Sequence, residues 1–387
     1  MKIGIPKEIY EGEKCVAIVP KMVAQLKNDN WEVLVEKDAG EGAFFSDVMY
    51  ERAGAIIVSD VQSLYSEADI IMKVKPPQMN IVTGKHEVDM MKPHSVYIGF
   101  LAQALSVDII RHMKERDITS FAMDLVPRIA RSQSMDALSS MASIVGYQAV
   151  LIAAEGIGKF FPLMMTAAGT IPPARVLVLG AGVAGLQAIA TAHRLGARVE
   201  AFDTRPAVRE QVESLGAQFI EMELVKDAET SGGYAKEMSD EFIKKELEII
   251  GNRITQNDVV VTTAQIFGKK APVLITEEMV KRMKQGSIIV DLAAEQGGNC
   301  ELTEPGKTII EHGVIICGTM NLHSRLPIDA SQMYSKNITN FFKHLYNTKD
   351  DSFDFEDEII NSMCVTHKGK IMSKLVEKVF QKGETDT

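Results

Sequence analysis

Cysteine is scarce in this chain. Four occur in 387 residues, Cys15, Cys300, Cys317 and Cys364, without the spacing of metal ligands. That excludes a disulfide-built scaffold and fits reduced, inert thiols. The eight histidines form no His-Glu-x-x-His pattern, so no metal site is expected. Positive charge is short as well. Lysine and arginine number 42 against 52 acids, a net charge of −10, with no dense basic patch carrying interleaved aromatics. A nucleic-acid partner is therefore not expected. No secretory signal is read, because Met1-Lys2-Ile3-Gly4-Ile5-Pro6 already looks like a strand and a turn. No stretch is assigned to a membrane span. The longest apolar region, 176–192, approaches a short span in length but contains a glycine motif that suits a buried strand and helix. A protein without direct membrane insertion is the expectation.

What is present is globular composition, 46% hydrophobic and 24% charged, in a chain long enough for two domains. Short apolar runs at 2–5, 32–35, 56–58, 70–74, 95–100 and 119–122 read as strands. Helical patterns at 22–27, 47–53 and 107–116 separate some of them. A helix-compatible segment, 136–161, follows. A second series of strands is read at 175–179, 198–202, near Phe219, and at 258–262, 287–291 and 314–317. Such alternation predicts an α/β protein with two Rossmann-like, doubly wound parallel sheets joined by long helices. The expected domains are 1–138 plus 328–387, and 139–327. A helix from Asp329, read as its N-cap with Gln332 reaching back, runs to His344 and returns the chain to the first domain. The acidic segment 349–358 reads as loop.

The most informative stretch begins at Arg175. An apolar strand enters Gly180-Ala181-Gly182-Val183-Ala184-Gly185, a helical pattern follows, and a second strand ends on Asp203. Gly180 suits the tight turn, Gly182 a close backbone approach to a pyrophosphate, and Gly185 close packing of helix on strand. The helix start directs unpaired N–H groups at phosphates. Asp203, about 20 residues on, suits the adenosine ribose hydroxyls and favours NAD over NADP. Glycines also cluster in ordinary turns, and Arg205 and Arg209 nearby are able to accept a 2′-phosphate. The strand-end position of Asp203 favours NAD.

Two further segments carry expectations. The polar, glycine-broken stretch 226–245 contains Ser231-Gly232-Gly233-Tyr234. It reads either as a solvated insertion or as a lid in which Tyr234 covers a bound cofactor. Pro162-Leu163-Met164-Met165, followed by a turn at Gly169, reads as a hairpin too apolar to be left in water.

The loop Pro127-Arg128-Ile129-Ala130-Arg131-Ser132-Gln133-Ser134-Met135-Asp136-Ala137-Leu138-Ser139-Ser140 closely resembles the Arg-Gln-Asp loop of the NAD(H)-binding domain of proton-translocating nicotinamide nucleotide transhydrogenases. The likeness continues through Met164 to Pro173, the glycine motif, Gly232 to Met238, Ala271 to Met279, Asp291-Leu292-Ala293 and Gly297-Gly298-Asn299-Cys300. It covers nearly the whole chain. It implies direct hydride exchange between NAD(H) bound here and NADP(H) on a partner, coupled to proton movement through a membrane-spanning subunit. It further implies a homodimer that packs the 160–172 segment on its second copy. The complex would be cytoplasmic and peripheral on the inner membrane.

The expected catalytic set is Arg128, Gln133, Asp136 and Ser139, which hold the nicotinamide end, with Gln133 reaching toward the second nucleotide. Asp136 and Ser139 are equally suited to capping the next helix. The expected cofactor-binding set is Gly180, Gly182, Val183, Ala184, Gly185, Asp203, Thr204, Arg205, Tyr234, Ala264 and Gln265.

The nearest rival is alanine dehydrogenase, which the same plan resembles. Its substrate site pairs an arginine, a lysine, a histidine and an aspartate. This chain keeps Lys75 but has Cys15, Phe100 and Glu295 at the other three positions. Without the arginine a substrate carboxylate loses its bidentate partner, and without the histidine amine oxidation loses its base. Departures from the transhydrogenase pattern also occur, at Cys15, Gln265, Phe267 and His323. A catalytically silent NAD-sensing subunit is the third reading.

Overall fold

The structure, a computed structural model, describes every residue except 102–105, 223–239, 266–269, 347–352, 375 and 378–387. The chain divides into two compact units, Met1–Met141 with Ser324–Thr387, and Ala142–His323. The chain passes from the first to the second inside one helix, Ala137–Gly156.

The first unit contains β1 (Lys2–Ile5), β2 (Glu32–Glu36), β3 (Ile56–Val58), β4 (Ile70–Met72), β5 (Val96–Gly99) and β6 (Thr119–Ala122). The second contains β7 (Arg175–Leu179), β8 (Arg198–Phe202), β9 (Gln218–Phe219), β10 (Val259–Thr262), β11 (Ile288–Asp291), β12 (Thr308–Glu311) and β13 (Val314–Cys317). The returning chain adds β14 (Cys364–His367) and β15 (Lys370–Ile371) to the first sheet. The sheet orders are β15-β14-β6-β5-β4-β1-β2-β3 and β9-β8-β7-β10-β11-β13-β12. Each sheet thus contains a parallel series in the order 3-2-1-4-5, extended at its far edge by antiparallel pairing. Helical crossovers bury both faces of such sheets, which is why the central strands are apolar throughout instead of alternating. Ile70–Met72, Val259–Thr262 and Ile288–Asp291 are buried at every position.

The expected α/β class with two doubly wound sheets is what the chain forms. Several boundaries differ. The edge strands β12, β14 and β15 were not expected. They are short, and their apolar content comes from pairing with one neighbour. The long segment expected over 136–161 is helical only over Ala137–Gly156. Past Gly156, Gly158 and Pro162 interrupt the pattern. The helix expected from Asp329 starts earlier, at Pro327, with Leu326 as N-cap and no side-chain cap. Proline pre-set for the first helical turn sets that start, so Asp329 lies inside it. The stretch 240–245, expected within a polar insertion, belongs to helix Asp240–Ile254. Phe242 and Ile250 supply its apolar face, and both are buried in the second unit's core. Within the segment expected as acidic loop, Asp357 caps helix Glu358–Met363 by accepting Ile359 N–H at 2.9 Å and Ile360 N–H at 3.2 Å.

Among the described residues one helix, Ala137–Gly156, is long and apolar enough to cross a membrane by length and composition. The sequence pattern had pointed to 176–192 as the longest apolar region. In the second unit Ala149, Val150, Ile152 and Ala153 of this helix pack into the same core as Val176, Val178 and Ile189. Its apolar character therefore has a partner within the protein. Gly146 explains how close the helix comes. A Cβ there would lie 2.1 Å from the Ala184 carbonyl oxygen.

Candidate functional site

The second unit has its chain reversal between β7 and β10, where neighbouring crossovers leave in opposite directions and open a crevice at the carboxyl ends of the strands. The turn Gly180-Ala181-Gly182 lies there. Gly180 has φ +97°, and a Cβ would stand 2.5 Å from Thr263 Oγ1. A Cβ on Gly185 would lie 1.9 Å from the Gly180 carbonyl oxygen, so only glycine allows helix Val183–Arg194 to sit this close. Gly182 differs from both, because the space its Cβ would fill is open to 4 Å. It is the helix N-cap and no side chain caps the helix. The first-turn N–H groups have no acceptor within the helix, and such a terminus suits an anionic group. Val183 is partly exposed at this mouth, and Ala184 is half-buried.

Asp203 follows β8 and is buried. Its Oδ2 accepts Ala181 N–H at 2.7 Å, which ties the end of the second strand to the glycine turn. Arg205 donates from its backbone and Nε to Oδ1, both at 2.9 Å, and from Nη2 to Oδ2 at 2.8 Å. Thr204 lies between them, half-buried. Across the crevice, after β10, Ala264 N–H donates to Asn299 Oδ1 at 3.1 Å. Asn299 Nδ2 returns bonds to the carbonyls of Ala264 and Pro272, both at 2.8 Å. Gln265 is exposed and its Nε2 donates to the Leu292 carbonyl at 3.0 Å. Tyr234 and Phe267 lie outside the described residues.

Three residues that sequence reasoning gave no role here organise this wall. Thr263 Oγ1 donates to the Gly180 carbonyl at 3.1 Å. Buried Asp291 accepts from Thr262 Oγ1, Ala293 N–H, Asn299 N–H, Cys300 N–H and Thr303 Oγ1, all at 2.7–3.0 Å. A fully bonded carboxylate of this kind fixes three chain segments at once. Asn299 then carries that order to Ala264. The signal in the sequence was Asp291 ending a strand just before a Gly-Gly-Asn turn.

The loop carrying Arg128, Gln133, Asp136 and Ser139 belongs to the first unit, and the glycine turn to the second. Within the first unit the loop is a tight helical turn, Ala130–Met135. Ser132 Oγ donates to the Pro127 and Ile129 carbonyls. Asn337 and Asn340 donate to the Ser134 carbonyl at 2.9 and 3.1 Å, and Arg131 pairs with Asp357 at 3.0 Å. Asp136 accepts Ser139 N–H at 2.9 Å and its hydroxyl at 2.6 Å. That is a helix cap, the other of the two roles open for this pair. Arg128 and Gln133 are exposed. Gln133 makes no side-chain hydrogen bond to the described residues. The loop is therefore a fixed platform with Gln133 standing out from it.

The positions that distinguish the rival dehydrogenase are also in the first unit, apart from Glu295. Cys15 is buried, and burial together with Glu13 pushes its thiol well up. Glu13 Oε2 lies 3.8 Å from Lys75 Nζ, which in turn sits 4.8 Å above the Tyr10 ring. Phe100 packs against Tyr334, ring centres 5.3 Å apart. Glu295, in the second unit, accepts Asn321 N–H at 3.2 Å.

Comparison with known proteins adds the following. Residues 4–145 match the family model "Alanine dehydrogenase/PNT, N-terminal domain", and 149–374 match "Alanine dehydrogenase/PNT, C-terminal domain". The chain is 50% identical over 376 residues to an NAD(P) transhydrogenase subunit alpha polypeptide of Rhodospirillum rubrum, covering 96% of this chain and 98% of that one. It is 30% identical over 390 residues to alanine dehydrogenase 2 of Staphylococcus aureus, covering 98% and 97%. Among solved structures, a transhydrogenase from Sinorhizobium meliloti superimposes with a TM-score of 0.83 at 39% identity, covering 97% of this chain and 100% of that one. An L-alanine dehydrogenase gives 0.82 at 25%, covering 99% of each.

Proposed function

This chain belongs to the alanine dehydrogenase/PNT family, and we propose that within it the protein is the NAD(H)-binding subunit of a proton-translocating transhydrogenase. The observation that supports this most is the glycine turn with Asp203 at the chain reversal of the second unit, in a chain half identical end to end to a transhydrogenase alpha subunit. The residues fit a dinucleotide. Gly182 leaves open space for a pyrophosphate, the uncapped helix offers N–H groups to it, and Asp203 meets the adenosine ribose. Val183, Ala184, Thr204, Arg205, Ala264 and Gln265 complete the proposed cofactor set, with Tyr234 as its cover.

When bound, the nicotinamide supplies a hydride to an acceptor nicotinamide. The protein's share is to bind, orient and exclude water. Arg128, Asp136 and Ser139 are assigned to the nicotinamide end and Gln133 to the second nucleotide, NADP(H), on a partner subunit. The membrane-spanning partner carries the protons, and this subunit sits peripherally on the cytoplasmic face of the inner membrane. A homodimer is part of the reading. The hairpin Met164–Thr166 and Gly169–Ile171 leaves Leu163 and Met165 exposed, 55% and 81%, on an apolar segment that suits a second copy.

The alanine dehydrogenase reading is disfavoured. Lys75 already has a carboxylate partner in Glu13, Cys15 offers no fork for a substrate carboxylate, and Phe100 offers no base.

The test sets single-turnover hydride transfer, with the NADP(H)-binding partner, beside NADH titration. Gln133→Ala should bind NADH almost normally and transfer hydride at least about 10-fold more slowly, as expected for a group acting mainly in the transition state. A wild-type rate in that variant removes the mechanistic role of the loop. Absence of transfer in the unmodified chain, with NADH bound, favours the silent NAD-sensing subunit.

A further inference from the structure

Cofactor choice at the end of β8 is a matter of charge, and both arginines that follow Asp203 are engaged. Arg205 forks Asp203 at 2.8–2.9 Å, so an approaching 2′-phosphate meets a neutral pair instead of a free acid. Arg209 is held by Glu213 at 2.9 Å and Glu221 at 2.6 Å. Neither the repulsion expected of Asp203 nor the attraction expected of the arginines is available at full strength.

One acid nearby is uncompensated. Glu246 lies in helix Asp240–Ile254, four residues after Phe242 and four before Ile250. That spacing puts the three side chains on one helix face. Phe242 and Ile250 are buried in the same core as Phe202, the residue that precedes Asp203. Glu246 has no hydrogen-bond or ion-pair partner among the described residues. Burial, and then the Asp203 carboxylate, push its carboxyl up to about 7, so Asp203 is the charge it faces.

We propose that Glu246 is the specificity determinant that excludes NADP(H) from this crevice, its carboxylate standing beside Asp203 where the 2′-phosphate would lie. The inference rests on the NAD(H) reading above. The ribose hydroxyls of NAD(H) are neutral and tolerate a nearby carboxylate. A 2′-phosphate carries close to two negative charges above pH 7. Its binding requires Glu246 to take a proton from solvent, which becomes harder as the pH rises. Discrimination therefore grows from pH 6 to pH 8.

The experiment is fluorescence titration of the full chain with NADH and with NADPH at pH 6 and pH 8. It compares the unmodified protein, Glu246→Gln and Glu246→Ala. At pH 8 the glutamine variant should bind NADPH roughly 3- to 10-fold more tightly, the size expected for removing one partly screened charge. Its effect on NADH should be smaller than about 2-fold. At pH 6, where Glu246 is protonated in the unmodified protein, the difference between the two should shrink. The alanine variant should follow the glutamine variant, which separates charge from shape. NADH binding with NADPH affinity unchanged in both variants at pH 8 overturns the role of Glu246 alone. Failure of the unmodified protein to bind NADH overturns the NAD(H) reading and this inference with it.

Discussion

The two units repeat one piece of geometry and use it for opposite ends. In the first, Ile5 pairs with Val35 in the sheet, and Lys7 N–H donates to Glu36 Oε2 at 2.7 Å. In the second, Leu179 pairs with Phe202, and Ala181 N–H donates to Asp203 Oδ2 at 2.7 Å. Register, offset and bond length agree. An acid one residue past the second strand closing on the turn after the first strand is therefore a feature of the doubly wound frame, and does not by itself announce a nucleotide.

What differs is the turn. Gly180-Ala181-Gly182 leaves room at its mouth. Pro6-Lys7-Glu8 fills its crevice from within. Glu8 accepts Val74 N–H at 2.6 Å and Lys75 N–H at 3.4 Å, and it lies 3.6 Å from Lys73. Lys73, fully buried, donates to Glu87 at 2.5 Å, and Tyr65 donates to the same oxygen at 2.6 Å. A built-in carboxylate stands where the other unit leaves space for a phosphate. Burial outweighs the pull of Lys73 and pushes Glu8 up to about 7. Burial pulls Lys73 down, but Glu8, Glu87 and Glu36 together hold it above its ordinary value.

The largest effect should come from opening the filled crevice. Lys73→Met leaves buried carboxylates without their cation and should cost about 3–5 kcal/mol of stability, read by urea unfolding. Wild-type stability in that variant would mean the cluster is not what holds the first crevice closed. Next is closure of the open one. Gly185→Ala brings a Cβ to 1.9 Å from a backbone oxygen. It should cost about 1–3 kcal/mol through forced displacement and weaken NADH binding at least about 10-fold, with melting curves and titration run together.

The paired acids sharpen the comparison further. Asp203→Asn should weaken NADH binding roughly 10-fold, the loss of a charged hydrogen-bond acceptor. Glu36→Gln, its counterpart, should leave NADH affinity within about 2-fold. Equal losses in the two would show that the clamp, and not the ligand contact, matters at Asp203.

The smallest effect is in pH. Glu8 titrates higher folded than unfolded, so its contribution is fully present below about pH 4 and declines as the pH rises toward 7. The slope should be at most about 1.4 kcal/mol per pH unit. Glu8→Gln should flatten stability between pH 5 and 7. An unchanged slope would place the titration elsewhere.

The glycine turn and Asp203 were legible because each glycine is dictated by local contacts that no other residue satisfies, and the surrounding strand and helix carry their own periodicity. The filled crevice was not legible. Lys73, Glu8, Glu36 and Glu87 are scattered over the first 87 residues, and an isolated charge in sequence reads as surface. Asp291 and Asn299 escaped for the same reason, since their partners come from separate loops. Edge strands β12 and β14 had no alternating pattern long enough to register.

The sequence by itself determined the α/β alternation, the strand that leads into Gly180-Ala181-Gly182, and the family likeness, because these are properties of neighbours along the chain. Tertiary structure decided what the charges do. It showed Asp203 bound by Arg205, Arg209 bound by Glu213 and Glu221, and Glu246 alone among the described residues on the buried face of its helix. A carboxylate acts according to its burial and its nearest opposite charge, and both are set by residues distant in the chain.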